Sequence, residues 1–135
     1  DTHGPQQYGR GPAFNVVYAR ELSARALLEA VAAGHVMLSA GPEVYLEAAL
    51  RDGTMAIMGD EVSADEVRAL TVRTPAAPAG ARVRWIVDGE PAAEWDAGVG
   101  THSPELPQGA RWALAELHAA DGTMLALTNP LYAVA

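Results

Sequence analysis

From Val36 onward, the chain consists largely of short segments in which every second residue is apolar. Residues 44–50, 70–72 and 83–87 each place apolar side chains on one face of an extended strand, while Arg82 and Arg84 point the other way. Compact turn signals separate these segments, at Asp52-Gly53, Gly59-Asp60, Asp88-Gly89 and Asp121-Gly122. About seven short strands joined by such turns predict an antiparallel β-sandwich rather than a parallel α/β sheet.

The clearest hairpin lies near the end of the sequence, where residues 112–118 and 124–128 flank a turn at 119–123. Trp85 and Trp112 both lie within alternating apolar strands, so we expect both indoles to be buried between two sheets. The predicted fold is therefore mostly β: an immunoglobulin-like antiparallel β-sandwich with one short N-terminal helix.

That helix is predicted between Ser23 and Gly34. The Ser23 hydroxyl can accept a hydrogen bond from a free backbone N–H of the first turn, and Gly34 can adopt the left-handed conformation that ends a helix. Leu22 and Leu27 occupy the two positions of a hydrophobic staple. The helix carries one apolar stripe, formed by Leu27, Leu28 and Val31. We expect the helix to pack by this stripe on another element.

Composition and charge exclude several classes of function. The net charge is −8, from nine Arg and no Lys against seventeen acidic residues, so the surface repels phosphate backbones and nucleic-acid binding is not expected. The absence of cysteine excludes a disulfide, a thiolate metal site and a cysteine nucleophile. No run approaches the roughly 18 apolar residues that span a bilayer, so we expect a soluble domain with no membrane partner. Cytoplasmic and exported locations, and a signal peptide upstream of residue 1, stay open.

Asp1 and His3 are the candidate metal ligands. A carboxylate and an imidazole two residues apart on an extended strand point to the same side, and can reach one metal ion or two adjacent ones. Asp-x-His is a common spacing, so the alternative is an ordinary irregular N-terminal segment. Residues 1–13 are rich in Gly and Pro and hold almost no aliphatic side chains, which predicts irregular backbone.

Further features follow Asp1-x-His3 in a fixed order: Tyr18-Ala-x-Glu-Leu-Ser, Gly34-His35, Ser39-x-Gly-Pro42 and, at the end, Ala126-Leu-Thr-Asn-Pro-Leu-Tyr132. This series resembles the closing segment of PHP-superfamily metal-dependent hydrolases, in particular the CehA/McbA-like branch. The resemblance is carried mainly by residues 1–42. The other metal ligands of that family, including a His-x-His near the start of its barrel, have no counterpart in this chain.

The resemblance implies that Asp1 and His3 are the last metal ligands of a catalytic barrel that holds divalent Zn, Mn or Fe and cleaves phosphoesters or related esters and amides. Residues 1–13 would be the tail of this preceding PHP barrel, and residues 14–135 an accessory β-sandwich of the same polypeptide. The sandwich would cover the barrel, shape the rim of its cleft or mediate contacts between subunits, and a homo-oligomer is compatible with it. Alone, the fragment is expected to be inactive, with no catalytic residue and no bound cofactor.

The remaining histidines lack the spacing of metal ligands. We expect His35 to be solvated beside the helix C-terminus, His118 to be exposed on a strand, and His102 to lie in a Pro-rich loop. Ser39, Ser63 and Ser103 are not nucleophile candidates, because no Gly-x-Ser-x-Gly elbow surrounds any of them.

A second function stays open from the sequence. Trp95 lies between Glu94 and Asp96, and an indole in such a polar setting can stack on a sugar ring. The alternative to an accessory domain is therefore a free-standing module that recognises a carbohydrate or a peptide through the loops around Trp95 and His102.

Overall fold

The computed structural model describes residues 13–134, which form one α-helix, two short 3-10 helices and twelve strands. The helix, α1, spans Ala24–Ala32. In chain order the strands are β1 (Phe14–Val17), β2 (Val36–Ser39), β3 (Tyr45–Leu50), β4 (Met55–Ile57), β5 (Glu61–Ser63), β6 (Val67–Arg73), β7 (Arg82–Val87), β8 (Glu90–Asp96), β9 (Thr101–His102), β10 (Trp112–His118), β11 (Met124–Thr128) and β12 (Leu131–Val134). The predicted metal ligands Asp1 and His3, and residues 1–12 of the predicted barrel tail, lie outside the described residues.

Strand β10 is the centre of the larger sheet. One of its sides pairs with β7, which in turn pairs with β8. Its other side pairs with β12 near the start of the strand and with β11 near the end, so the sheet divides into two arms. One arm continues from β11 through β2 to β1, and the other continues from β12 to β5. The β5–β12 pair is parallel, whereas the other ladders of this sheet are antiparallel.

The smaller sheet has the antiparallel order β4-β3-β6-β9. Alternating side chains of the two sheets meet in one apolar core, which confirms the predicted mostly β sandwich with one short helix. The finer immunoglobulin-like assignment stays a prediction. The hairpin predicted at residues 112–128 is formed by β10 and β11 with the expected bounds.

Trp85 lies in this core, as predicted, and is only 1% exposed. Its indole Nε1 donates a hydrogen bond of 3.1 Å to the carbonyl oxygen of Glu105, so the one polar atom of the ring is satisfied. The residues directly opposite Trp85 on the two neighbouring strands are Ala115 and Ala93. Small side chains on both sides leave the volume that the large indole fills, as close packing requires.

The same register explains why the prediction for Trp112 is wrong. Strand β10 turns Ala113, Ala115 and Leu117 toward the core, so the alternation of the strand places Trp112 on the outer face of the sheet. There it lies opposite Tyr132, which is largely exposed. The face of β10 with the smaller side chains is the buried one, because it must accommodate the indole of Trp85 from β7.

Helix α1 begins and ends as predicted. The Ser23 hydroxyl accepts a hydrogen bond of 3.2 Å from the backbone N–H of Ala26, and Gly34 has a φ of 77°. The predicted staple is not formed, because Leu22 is 95% exposed and cannot pack on Leu27. Within residues 13–134, no helix has the length and apolar character needed to cross a lipid bilayer.

The end of α1 is joined to the sandwich at a close contact between two glycines. Gly59 precedes β5 with a φ of 94°, and a Cβ added to it would overlap the backbone of Ala33 and Gly34. The Gly59 N–H donates to the carbonyl oxygen of Pro130 at 2.7 Å. The Asn129 side-chain amide donates to the carbonyl oxygen of Gly34 at 2.8 Å. The helix is therefore held at its C-terminus by backbone that only glycine permits.

Candidate functional site

No cluster of three or more His, Cys, Asp or Glu side chains suited to a metal ion occurs among residues 13–134. The two ligand candidates from the sequence, Asp1 and His3, precede this range, so the metal site stays a prediction. Chemistry-bearing side chains of the described residues are instead found in separate small groups.

The first group is a His35–Asp60 pair at the junction between α1 and the sandwich. The His35 Nε2 lies 2.7 Å from an Asp60 carboxylate oxygen, and the other carboxylate oxygen accepts from the backbone N–H of Ile57 at 2.8 Å. The Asp60 carbonyl oxygen also accepts from the Tyr132 N–H. The expectation of a solvated His35 is wrong, because its imidazole is partly buried against this carboxylate. The pair joins the end of α1 to the turn before β5.

The second group brings together the two residues of the alternative function. The Trp95 and His102 rings are stacked, with centroids 5.1 Å apart and planes inclined by 13°. Trp95 pairs with Val83 on β7, and His102 pairs with Val72 on β6, so both rings lie on the core side of their strands. Each ring therefore covers one face of the other where β8 and β9 approach. The His102 Nε2 is buried and has no hydrogen-bond partner among the described residues.

His118 departs from its prediction as well. It is 8% exposed, and its ring nitrogens lie 3.1 Å from the carbonyl oxygen of Gly122 and 2.8 Å from a Glu116 carboxylate oxygen. A register shift between Leu117 and His118 interrupts the alternation of β10. Strict period-two alternation places His118 on the outer face, and a bulge of this kind cannot be located from composition.

The Ser39 hydroxyl organises a turn. It donates to the carbonyl oxygen of Pro42 at 2.5 Å and accepts from the Gly41 N–H at 2.8 Å. The residue is 1% exposed. This hydroxyl is therefore engaged by local backbone, as the Ser39-x-Gly-Pro42 turn suggests.

Charged pairs cross the outer faces of both sheets. In the smaller sheet Arg73 stacks on the Tyr45 ring and makes two hydrogen bonds to Glu47, which raises the pKa of the guanidinium. In the larger sheet, a hydrogen bond from Arg82 lowers the pKa of Glu94, with Arg84 as a further cation nearby. These pairs join neighbouring strands of each sheet.

Exposed apolar side chains lie along one side of α1. Leu28 and Val31 are 70% and 52% exposed, and Ala24 completes an exposed stripe at spacings of four and three residues. The helix instead buries Ala26 and Ala30 against its own chain. We call Leu22, Ala24, Leu28 and Val31 the outer helix face. The sequence analysis identified Leu28 and Val31 of this outer stripe. It missed the buried side of the helix, which the four-residue spacing of Ala26 and Ala30 indicates.

Comparisons with protein-family models, with curated proteins and with solved structures found no match.

Proposed function

We propose that this chain is the non-catalytic accessory domain of a PHP-type metal-dependent hydrolase, acting on phosphoesters or related esters and amides, whose barrel precedes it in the same polypeptide. The observation that carries the proposal is the position of residues 14–35 relative to the core. The buried core cluster is drawn from residues between Met37 and Leu131, and the earlier elements add only the partly buried Val16. In the sequence, strand β1 and helix α1 therefore stand between the Asp1-x-His3 motif and a sandwich core to which they add only Val16.

In this proposal Asp1 and His3 complete a metal site whose other ligands come from the barrel. A carboxylate and an imidazole suit Zn, Mn or Fe, and a catalytic zinc site typically has three protein ligands. Held by Asp1 and His3 together with the barrel's ligands, such an ion would supply the Lewis acidity for ester hydrolysis by water. The sandwich contributes no reacting group, and its work is to hold or shape the barrel.

The test uses the longer polypeptide that contains the barrel. Asp1→Ala and His3→Ala should each abolish metal-dependent phosphoester turnover and reduce bound metal, measured by mass spectrometry of the dialysed protein. The thermal transition of the sandwich should not move, since the buried core cluster of the described residues is drawn from positions 37–131. Asp65→Ala is the matched control, because this exposed carboxylate lies in the short helical turn after β5 and should leave turnover intact.

Full turnover and full metal content in both variants would contradict the proposed function. A simpler observation bears on it as well: the coding sequence upstream of Asp1 should encode a barrel-length region with a His-x-His motif. A signal peptide or a start codon directly upstream would instead favour the free-standing carbohydrate- or peptide-binding module.

A further inference from the structure

We infer that the outer helix face of α1 is the surface on which the preceding barrel docks. The identity of this partner rests on the proposed function, whereas the existence of a docking surface rests on α1 itself.

Helix α1 is apolar on two opposite sides. Of its nine residues only Arg25 and Glu29 are polar, and these two side chains are joined by a salt bridge of 2.8 Å. A helix with apolar side chains on two sides is typical of a position with neighbours on both of them. The described residues supply a neighbour on one side only, where Ala26 and Ala30 are buried. The other side, with Leu28 and Val31, is left to a partner.

Exposed apolar side chains are concentrated near the start of the described residues. Five large apolar side chains between positions 14 and 31 are at least half exposed: Phe14, Tyr18, Leu22, Leu28 and Val31. Only Met55 and Val99 are as exposed in residues 32–134. Scattered exposed apolar residues are ordinary on a protein surface, but neighbouring ones on one surface mark an interaction site, and Leu28 and Val31 are neighbours on one side of α1. This concentration lies on the elements that directly follow the Asp1-x-His3 motif.

The size of the surface favours a tethered partner over a second copy of the chain. A helix of nine residues is about 14 Å long. One face of such a helix is far smaller than the ~800 Å² per partner of a typical stable interface between separate proteins. A partner in the same polypeptide is held at an effective concentration in the millimolar range when the connection is short, so a small apolar contact suffices. The connection through residues 1–12 is short in this sense.

Charge also fits an apolar partner surface. The chain carries a net charge of −8, yet the outer helix face has no charged side chain. Of the charges near it, Arg20 and Arg25 both pair with Glu29 along one flank of the helix, and Glu21 accepts a hydrogen bond from the Ser23 hydroxyl. Docking by this face would therefore keep the Arg20–Glu29 and Arg25–Glu29 pairs intact at its edge, so these charges would not be buried without a partner.

The absence of cysteine in this chain permits a direct accessibility test. Leu28→Cys places a thiol on the outer helix face, and Met55→Cys places a control thiol at a similarly exposed site, 59% exposed in the parent residue, on β4 of the smaller sheet. Each variant is prepared as the 135-residue chain and within the barrel-containing polypeptide. The rate of maleimide modification is followed by mass spectrometry of the labelled peptide.

Both thiols should react at similar rates in the 135-residue chain. In the longer polypeptide we expect the thiol of Leu28→Cys to react at least about tenfold more slowly, while the thiol of Met55→Cys keeps its rate. Equal rates for Leu28→Cys in the two preparations would overturn the inference. So would slow, concentration-dependent labelling of the 135-residue chain together with a dimer mass in light scattering, since a second copy would then occupy the face.

The readout separates this inference from the proposed function. Labelling needs neither metal nor turnover, so a protected Leu28→Cys in a polypeptide without hydrolase activity would remove the proposed function alone. An unprotected Leu28→Cys in an active metal-dependent hydrolase would remove the docking surface alone.

Discussion

The interior of the sandwich and the β1–α1 segment differ in which apolar side chains they bury. In the interior, large and small side chains alternate across strands, so that Trp85 is enclosed between Ala93 and Ala115. In the β1–α1 segment only the small side chains Ala26 and Ala30 are buried, and the large ones, including Leu28, face outward. The interior encloses its large apolar side chains, whereas the segment before it leaves most of its own exposed.

The difference shows that the two regions are stabilised by different interactions. Van der Waals packing and burial hold the core residues, and these effects are worth about 1.5–3 kcal/mol for each large apolar side chain fully buried. The helix is instead fixed at its C-terminus by the Gly34–Gly59 contact, the Asn129 hydrogen bond and the His35–Asp60 pair. Substitutions should therefore separate the two regions by the size of their effect on stability.

The largest effect is expected for Trp85→Ala. Removal of this enclosed indole should lower the free energy of unfolding by about 3–5 kcal/mol, because the alanines around it cannot fill the cavity. Urea denaturation followed by circular dichroism measures the change. A loss below about 1 kcal/mol would show that the interior is less tightly packed than the register indicates.

Gly59→Ala should come next, at about 2–3 kcal/mol, because the new Cβ overlaps the backbone at Gly34 and the residue has a positive φ. Gly53→Ala is the matched control, since Gly53 also has a positive φ, of 88°, but has open space around its Cβ position. The control should cost only about 1 kcal/mol. Equal losses in the two variants would mean that the helix is not held by the close contact.

Trp112→Ala should cost about 1–2 kcal/mol, less than Trp85→Ala, since Trp112 lies on the outer face of the sheet and is partly exposed. The comparison is made by the same urea denaturation of both variants. Equal destabilisation by the two substitutions would show that both indoles contribute to the interior, as the alternating sequence alone suggested.

The smallest effect is expected for Leu28→Glu in the 135-residue chain. Leu28 is largely exposed, and glutamate is nearly as good a helix former as leucine. The free energy of unfolding, followed through the thermal midpoint, should therefore change by no more than about 0.5 kcal/mol. Ala30→Glu is the control on the same helix. Its side chain would enter the buried side of α1, and the midpoint should fall clearly. A large effect of Leu28→Glu would contradict the assignment of this side as free.

The sequence by itself determined the type of several elements and the chemistry at the ends of the helix. Alternation predicted β3, β7, β10 and β11, since a half-buried strand must present one apolar face. The helix limits followed from Ser23 and Gly34, because capping and left-handed backbone are local properties of one or two residues. The β-sandwich followed from the sum of these patterns.

Tertiary structure decided which side of each element is inside. Both faces of β10 are apolar enough to be buried, and the indole of Trp85 on β7 selected the face with alanines. Both sides of α1 are apolar as well, and the close approach at Gly34 and Gly59 selected the side with Ala26 and Ala30. The stack of Trp95 and His102 likewise depends on two strands from different sheets. Such choices depend on residues distant in sequence, because packing compares volumes across neighbouring elements, whereas periodicity describes one element at a time.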